Sequence, residues 1–418
     1  MTALAETCLP VGVEPIEVTP ETLRRLPGIP FLVRFAFRIL LKLKSGTLTA
    51  ILPDGRRLRF RGGEPGADAI MEIRDFGLAR RVVANGDLGA AEAFLEGMWD
   101  SPNITAFLEL FARNKEALQA RLKGFAFARF AARLYHFARR NSKSGSRRNI
   151  EFHYDLGNAF YLRWLDATMT YSSARFAHAG QTLAEAQINK YRSLAERIGL
   201  KREHHVLEIG SGWGGFAEYA ASEIGCRVTG ITLSKEQLAF ARERMAAKGL
   251  SDRVEIRYQD YRDVSEKFDR IASIEMFEAV GEEYWPTYFQ KLRDCLRPGG
   301  IAGLQIITIG DKTFPAYRKG VDFIQRYIFP GGMLPSPKIL KEQVAKAGLT
   351  WSGNLDFGLD YAETLKQWRQ RFAVAWPEIQ PLGFDERFRR MWEYYLAYCE
   401  AGFRTGHVDV TQLTITRP

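Results

Sequence analysis

Three glycines at alternating positions form a candidate ligand-binding turn in VLEIGSGWGGF, residues 206–216. Aliphatic residues lead into Gly210, Gly212 and Gly214, a pattern typical of a buried parallel strand that turns into a helix. A dinucleotide site needs G-x-G-x-x-G and an acidic residue at the end of the second strand. This turn is G-x-G-x-G, and the second strand ends in GITLSKEQ without a carboxylate at that place. The pattern therefore disfavours NAD.

Glu208, just before the glycines, indicates which ligand the turn would hold. A carboxylate at this place can face the amino group of S-adenosylmethionine, while the glycines let the backbone approach the ligand. The alternative is a tight turn that binds nothing. The sequence favours S-adenosylmethionine because the carboxylate is present.

Alternating strands and helices position this turn. Strands are predicted at HVLEIG, RVTGITL, VEIRYQD, FDRIASIE and IAGLQIIT, with helices near residues 214–224, 235–248 and 284–296. This alternation predicts an α/β fold with a doubly wound, mostly parallel, Rossmann-like sheet, whose ligands lie at the carboxyl ends of the strands. Upstream, GTLTAILPDGRRLRF alternates around a DG turn and predicts a β-hairpin. We therefore expect a small α+β domain over residues 1–112, a basic linker over 113–150 and a catalytic domain over 151–418.

The net charge of +10 is concentrated in one segment. Residues 113–148 contain eleven Lys or Arg residues and a single acidic residue, Glu116. Aromatic residues are interleaved with these charges over residues 121–148, and FLVRFAFRILLKLK, residues 31–44, repeats a cation every fourth residue at Arg34, Arg38 and Lys42. Both segments are typical of helices that lie on an anionic membrane surface. The alternatives are a solvated interdomain helix, a helix packed on its own domain and, for the linker, nucleic-acid binding.

Other features of the sequence concern its cellular location. The four cysteines show no CxxC pairing, so they imply neither a metal site nor a disulfide framework. The N-terminus lacks the pattern of a signal peptide, and no apolar run reaches the length of a membrane span. We therefore expect a cytoplasmic protein that binds peripherally at the inner face of the membrane.

Several motifs occur in order over residues 151–406: HYDLGNAFYLRWLDATMTYSSARF, VLEIGSGWGGFAEYAA, GITLSKEQ, MFEAVGEEYW, RYIFPGGMLPS and MWEYYLAYCEAGFRTG. With LPDGRRLRF and GDLGAAEAFLEGMWDSPNIT upstream, the chain resembles the cyclopropane-fatty-acyl-phospholipid synthase family. LQIIT, DFIQRYIFPGG and EYYLAYCEAGF look most like its plant-type branch. The resemblance implies a two-domain, S-adenosylmethionine-dependent enzyme that acts on unsaturated acyl chains of phospholipids and forms a homodimer.

The resemblance also assigns site residues. Those in cofactor-binding positions are Tyr171, Ser172, Glu208, Gly210, Ser211, Gly212, Trp213, Gly214, Thr232, Leu233, Ser234, Gln237, Tyr261 and Arg262. In this family a bound bicarbonate is the base, and Glu278 and Tyr361 match two of its ligands. Ser173 stands where a Cys is common and Gln305 where a His is common, although a serine backbone and a glutamine amide can still donate to an anion. Cys399 matches a late cysteine that lines the family's active site.

The implied chemistry is methyl transfer to an alkene, followed by loss of a proton from the new methyl group as a cyclopropane closes. Aromatic faces stabilise the intermediate carbocation, and seven aromatic residues are available: Tyr171, Phe277, Tyr327, Phe329, Tyr361, Tyr394 and Tyr395. A proton lost elsewhere would leave a methylene-branched chain. Two other classes remain open, a methyltransferase for a soluble metabolite or nucleic acid and a non-catalytic lipid-binding relative.

Overall fold

The structure, a computed structural model, describes residues 14–119 and 156–418. These residues form two compact units. Residues 14–119 and Asp385–Thr405 form the first unit, and residues 156–384 and Gly406–Pro418 form the second. The linker segment 121–148 lies outside the described residues. The long helices of the described part do not include one that is apolar enough to cross a membrane.

The first unit is built on a sheet of five strands among its described residues. They are β1 (Ile16–Glu17), β2 (Ser45–Ile51), β3 (Arg57–Arg61), β4 (Glu64–Ile73) and β5 (Trp99–Asp100), in the order β1-β3-β2-β4-β5. Strands β2 and β3 pair antiparallel on either side of the DG turn, which confirms the predicted hairpin. Side chains along β2 alternate between buried and partly exposed, because one face of the sheet packs on the core.

Helices cover this sheet. They span Pro20–Arg25, Phe31–Leu40, Leu78–Leu95, Ile104–Arg113, Lys115–Gln119 and Glu386–Arg404. The helix Leu78–Leu95 has a kink at Gly86, whose φ of 58° lies in the left-handed region.

The helix Glu386–Arg404 belongs to the first unit, whereas the predicted catalytic domain 151–418 included it. Its Arg390 donates hydrogen bonds to the carbonyl oxygens of Phe94 and Trp99 and forms an ion pair with Asp100. Farther along, Glu400 accepts a hydrogen bond from the Thr105 hydroxyl at 2.9 Å. Buried polar groups need such partners, and these partners lie far upstream in the sequence, which the motif order does not reveal.

The second unit is built on a seven-stranded sheet among its described residues. The strands are β6 (His205–Ile209), β7 (Arg227–Thr232), β8 (Val254–Tyr258), β9 (Phe268–Ile274), β10 (Leu296–Ile309), β11 (Thr350–Asp356) and β12 (Val408–Thr416), in the order β11-β12-β10-β9-β6-β7-β8. Strands β6 to β10 are mutually parallel, as predicted. Strand β12 is antiparallel to both β10 and β11, and β11 and β12 were not predicted.

Helices pack on both faces of this sheet. They span Asn158–Trp164, Leu183–Arg197, Gly215–Tyr219, Lys235–Ala247, Trp285–Cys295, Phe314–Tyr317, Pro337–Lys346 and Gly358–Ile379, and single π-helical turns span Ala220–Ile224 and Ile324–Ile328. Two buried apolar clusters form the core of the unit. Strands β6 and β9 are neighbours, yet the chain continues from β6 to β7 on one side and from β9 to β10 on the other. This reversal is a topological switch point, where α/β sheets bind ligands.

Candidate active site

The glycine turn follows β6 at the switch point. The backbone N–H groups of Gly210 and Ser211 both donate to the carbonyl oxygen of Ile231, each at 3.0 Å, which fixes the turn against β7. Gly210 has a φ of 83°, and a Cβ there would lie 2.8 Å from the Met276 side chain. Gly214 is also left-handed and begins the next helix. The turn therefore requires glycine for backbone conformation and for space.

Glu208 is buried beneath this turn, and one of its carboxylate oxygens has no hydrogen-bond partner among the described residues. Burial raises the pKa of Glu208 to about 8, while Arg244, Lys190 and the backbone N–H of Ala217 lower it. An unsatisfied buried acceptor costs free energy unless a ligand supplies a donor. The amino group of S-adenosylmethionine is such a donor, so the residues present fit this cofactor.

Other predicted cofactor residues surround the same edge of the sheet. After β7, the hydroxyl of Thr232 donates to the Gln237 side chain at 3.0 Å, and Ser234 caps the helix that follows. Leu233 lies between them and is only partly exposed. After β8, Asp260 holds Arg262 through two hydrogen bonds of 2.8 and 2.6 Å.

Aromatic rings form a wall near the turn. The Tyr161 ring lies 5.0 Å from Trp213 and 5.4 Å from Tyr171, measured between centroids. Tyr171 in turn lies 5.2 Å from Trp368, whose ring is 6.1 Å from Tyr361. Trp213 also donates from its indole nitrogen to Asn158 at 2.7 Å. This wall connects the predicted cofactor residues with the predicted catalytic residues.

Ser173, Gln305 and Tyr361, predicted as ligands of one anion, converge on the carboxylate of Glu275. Its Oε1 accepts the backbone N–H of Ser173 at 2.8 Å and the amide of Gln305 at 2.7 Å. Its Oε2 accepts the Tyr361 hydroxyl at 2.5 Å. The Ser173 hydroxyl instead donates to the Ala174 carbonyl oxygen. The structure brings these three predicted residues together on an acceptor, Glu275, that the sequence prediction did not include.

A chain of buried amides orients Gln305. Ser193 donates to Oε1 of Gln412 at 2.7 Å, and Nε2 of Gln412 donates to Oε1 of Gln305 at 3.2 Å. Because its oxygen is an acceptor in this chain, Gln305 must present its amide nitrogen to Glu275. Gln305 and Gln412 are paired residues of β10 and β12. The unpredicted strand β12 thus helps to position the site.

Lys190 is a fully buried cation beside these carboxylates. Its ammonium donates to the Ser172 hydroxyl at 2.6 Å. Burial lowers the pKa of Lys190 to about 7, against the opposing effects of Glu275, Asp166 and Glu208. Burial also raises the pKa of Glu275, while Tyr361 and Lys190 lower it. The site therefore combines opposite charges in a desolvated region.

Glu278 lies three residues beyond Glu275 and does not share its donors. One oxygen accepts the backbone N–H of Ile307 at 2.6 Å, and the other has no partner within the described part of the chain. Burial, together with the neighbouring charge of Glu275, raises the pKa of Glu278 to about 8. Its catalytic role stays a prediction.

Cys399 lies in the helix Glu386–Arg404 of the first unit, and so do Tyr394 and Tyr395. Phe277 stacks on Trp285 in the core of the second unit, with ring centroids 5.5 Å apart. The site-lining role of Cys399 also stays a prediction.

Glu275, Lys190 and Asp260 are the site residues that sequence reasoning did not select. Glu275 stands at the carboxyl end of β9 in SIEMFEAVG, and a carboxylate directly after a buried strand was an available signal. Lys190 lies within a helix whose sequence is amphipathic, and no pattern near it distinguishes it from an exposed lysine. Its burial could therefore not be predicted from the sequence.

The fold and the glycine turn define the class of this protein, an S-adenosylmethionine-dependent methyltransferase. The mycolic acid cyclopropane synthase CmaA1, solved in complex with SAH and CTAB, superposes with a TM-score of 0.61 at 31% identity, over 65% of this chain and 98% of that one.

The sequence comparisons identify the family. The family model for mycolic acid cyclopropane synthetase matches residues 141–413, and the chain belongs to this family. The tuberculostearic acid methyltransferase of Mycobacterium tuberculosis is 40% identical, over 85% of this chain and 84% of its own length. The cyclopropane-fatty-acyl-phospholipid synthase of Escherichia coli K12 is 38% identical, over 84% and 88%. The protein is therefore an S-adenosylmethionine-dependent lipid-modifying enzyme.

Replacing Glu208 by Gln tests the fit of the cofactor. We expect Glu208→Gln to weaken the binding of S-adenosylhomocysteine by about 10- to 100-fold, because a charge-assisted hydrogen bond is lost. Isothermal titration calorimetry measures this, with Glu203→Gln as control because Glu203 is an exposed residue upstream of the same strand. Unchanged affinity in Glu208→Gln would show that the carboxylate does not contact the ligand.

Replacing Glu278 by Gln tests the buried carboxyl group. The pKa of Glu278 is about 8 in the folded state, against 4.5 for an ordinary glutamate. A raised carboxyl pKa contributes stability at low pH, and this stability is lost as pH rises toward 8. We therefore expect Glu278→Gln to raise the free energy of unfolding at pH 8 by about 2–4 kcal/mol, and to change it little at pH 5.

Urea unfolding at both pH values measures this difference, and Glu203→Gln again serves as the control, with curves that match the wild type. Equal shifts for Glu278→Gln at pH 5 and pH 8 would contradict the assignment of a buried, neutral carboxyl group.

Proposed function

We propose that this protein transfers the methyl carbon of S-adenosylmethionine to a cis double bond in a phospholipid acyl chain and closes a cyclopropane ring. The observation that carries the proposal is the cluster of Glu208, Glu275 and Glu278 at the carboxyl ends of β6 and β9, beside an aromatic wall. Carboxylates and aromatic faces both stabilise cations, and both the methyl donor and the carbocation intermediate are cationic. The similarity to the Escherichia coli phospholipid synthase supports the same substrate class.

In this proposal the cofactor supplies the methyl group, and the residues of the chain bind it, orient the reactants and exclude water. S-adenosylmethionine supplies, when bound, an electrophilic methyl group. An alkene is a weak nucleophile, so the site must align the reactants and exclude water rather than generate a strong base. Glu208 holds the amino group of the cofactor, and the rings of Tyr171, Trp368 and Tyr361 shield the carbocation from water.

A methyl- or methylene-branched fatty acid is the second candidate product. The similarity to a tuberculostearic acid methyltransferase favours it. The cyclopropane and the methylene branch share the methyl transfer and the loss of a proton, and they differ in whether a hydride shift precedes that loss. A methyl branch requires, in addition, a two-electron reduction of the methylene by a separate hydride donor.

We further propose that the protein binds the inner face of the membrane peripherally, through the helix Phe31–Leu40. Phe31 is 77% exposed and Phe35 is also exposed, on a helix that carries the exposed cation Arg38 and is followed by Lys42. Rings at the headgroup level and cations on phosphates are the features of an interfacial helix. The predicted homodimer stays a prediction.

Arg34 does not share this role, although the sequence placed it on the same face. Its guanidinium donates to the carbonyl oxygens of Leu23, Arg24 and Leu26, at the end of the helix Pro20–Arg25. It therefore satisfies carbonyl groups that a helix end leaves without intrahelical partners.

Removing the two exposed rings tests the membrane proposal. We expect the double variant Phe31→Ser, Phe35→Ser to bind anionic phosphatidylglycerol vesicles at least about 10-fold more weakly, because each buried Phe contributes about 1.5–3 kcal/mol. Co-sedimentation measures this. Val374→Ser is the matched control, since Val374 is 76% exposed in the second unit. Equal binding of the double variant and the wild type would contradict the proposed surface.

Product analysis tests the proposed reaction. The enzyme is incubated with trideuteriomethyl S-adenosylmethionine and dioleoyl phosphatidylglycerol vesicles, and the lipids are examined by mass spectrometry and NMR. We expect the modified chain to gain a CD2 group and to lose its alkene signals, with vesicles of saturated lipid as control. A deuterated exocyclic methylene signal in ²H NMR would favour the second candidate, and unmodified lipid would refute both.

A further inference from the structure

The anion site that the family resemblance assigns to bicarbonate is filled by a side chain of the protein itself. The expected donors are the backbone N–H of Ser173, the amide of Gln305 and the hydroxyl of Tyr361, and all three bind the carboxylate of Glu275. A bicarbonate ion at this position would have no free donor among these three groups, because each already binds Glu275. It would also lie beside the negative charge of the Glu275 carboxylate. Like charges disfavour each other in such a site. The residues present therefore do not fit a bound bicarbonate.

We propose that Glu275 is the base that takes the proton from the transferred methyl group, in place of an external anion. This inference rests on the proposed function and names a catalytic residue within it. A carboxylate offers about four lone-pair positions. Two on Oε1 accept from Ser173 and Gln305, and one on Oε2 accepts from Tyr361. The remaining position on Oε2 takes the proton.

The backbone conformation of Glu275 supports a functional role for this residue. Its φ of 50° lies in the left-handed region, which costs a residue other than glycine or asparagine about 1–2 kcal/mol. Such strain persists only where the surrounding structure imposes it. Here the N–H of Glu275 donates to the Gln305 carbonyl oxygen at 2.8 Å while the amide of Gln305 holds the Glu275 carboxylate. Both ends of the glutamate are thus fixed by one residue of β10.

Glu275 also has the position and the charge balance that a base requires. It directly follows β9, at the carboxyl edge of the sheet where α/β folds bind ligands, and it is partly exposed, whereas Gln305 is completely buried. Lys190 supplies a buried positive charge that interacts with it. This counter-charge favours the ionised form that accepts a proton.

The proposed step is balanced. The methyl carbon bonds to one alkene carbon as its bond to sulfur breaks, and the electron pair of that bond stays on sulfur. The other alkene carbon becomes a carbocation. The electron pair of one methyl C–H bond then forms the third bond of the ring, and the proton moves to Oε2 of Glu275. The proton passes to solvent before the next turnover.

Initial rates in carbon-dioxide-depleted buffer, with and without added bicarbonate, test this assignment on the full-length enzyme with oleoyl phospholipid vesicles. We expect the wild type to be unaffected by bicarbonate within about twofold. Glu275→Gln keeps the size of the side chain but not the base, and we expect its rate to fall by about 10²- to 10⁴-fold. Its affinity for S-adenosylhomocysteine should stay within about threefold of the wild type, because Glu275 does not hold the cofactor.

A second variant guards against a folding defect. Glu275→Gly suits the left-handed backbone and releases the three donors for an external anion. We expect ¹³C-bicarbonate NMR to show line broadening with Glu275→Gly and none with the wild type, and bicarbonate to raise the rate of Glu275→Gly at least about tenfold. If bicarbonate did not restore the rate of Glu275→Gly, the proposal that the Glu275 carboxylate takes the place of bicarbonate would be overturned.

The results separate the two proposals. A wild type that makes modified lipid only when bicarbonate is present would overturn the role of Glu275 and leave the proposed function intact. A near-normal rate in Glu275→Gln would also overturn it. A wild type that makes no modified lipid in either buffer would refute the proposed function itself.

Discussion

The site depends on the three hydrogen bonds that the carboxylate of Glu275 accepts at the switch point of the second unit. Its three donors come from separate parts of the chain: the loop before the helix Leu183–Arg197, strand β10 and the helix Gly358–Ile379. A buried charge is tolerated only when donors or counter-charges compensate its lost hydration. Each of these segments is therefore constrained by the same acceptor, and any shift of one would leave the carboxylate less satisfied.

Electrostatic compensation extends beyond this carboxylate. Lys190 is buried among Glu275, Asp166 and Glu208, and its positive charge partly offsets theirs. Glu208 and Glu278 each keep an oxygen without a partner among the described residues. The acceptor oxygens of these carboxyl groups lie in a region of low polarity, where electrostatic interactions are stronger than in water. Such an environment stabilises cationic species better than water does, because the charges are already oriented before the reaction begins.

The sequence predicted the parts of the fold that local patterns determine. The five parallel strands, the hairpin and the glycine turn are encoded by aliphatic runs and glycine positions, and they agree with the structure. Strands β11 and β12 were missed because TWSGNLD is polar and β12 lies far along the chain from its partner β10. The helix Glu386–Arg404 was assigned to the wrong unit because its partners, such as Asp100, are nearly three hundred residues upstream. Within the site, Ser173, Gln305 and Tyr361 were predicted and Glu275 was not. Its place directly after β9 is visible in the sequence, but the convergence of the three donors on it depends on the folded chain.

The central claim is that the protein carries its own anion in place of bicarbonate. A high-resolution crystal structure of the wild type, grown with S-adenosylhomocysteine and an excess of bicarbonate, tests this claim most directly. The account predicts the Glu275 carboxylate within hydrogen-bond distance of the Ser173 N–H, the Gln305 amide and the Tyr361 hydroxyl. A planar bicarbonate ion on those three donors, with the Glu275 side chain turned away, would contradict it.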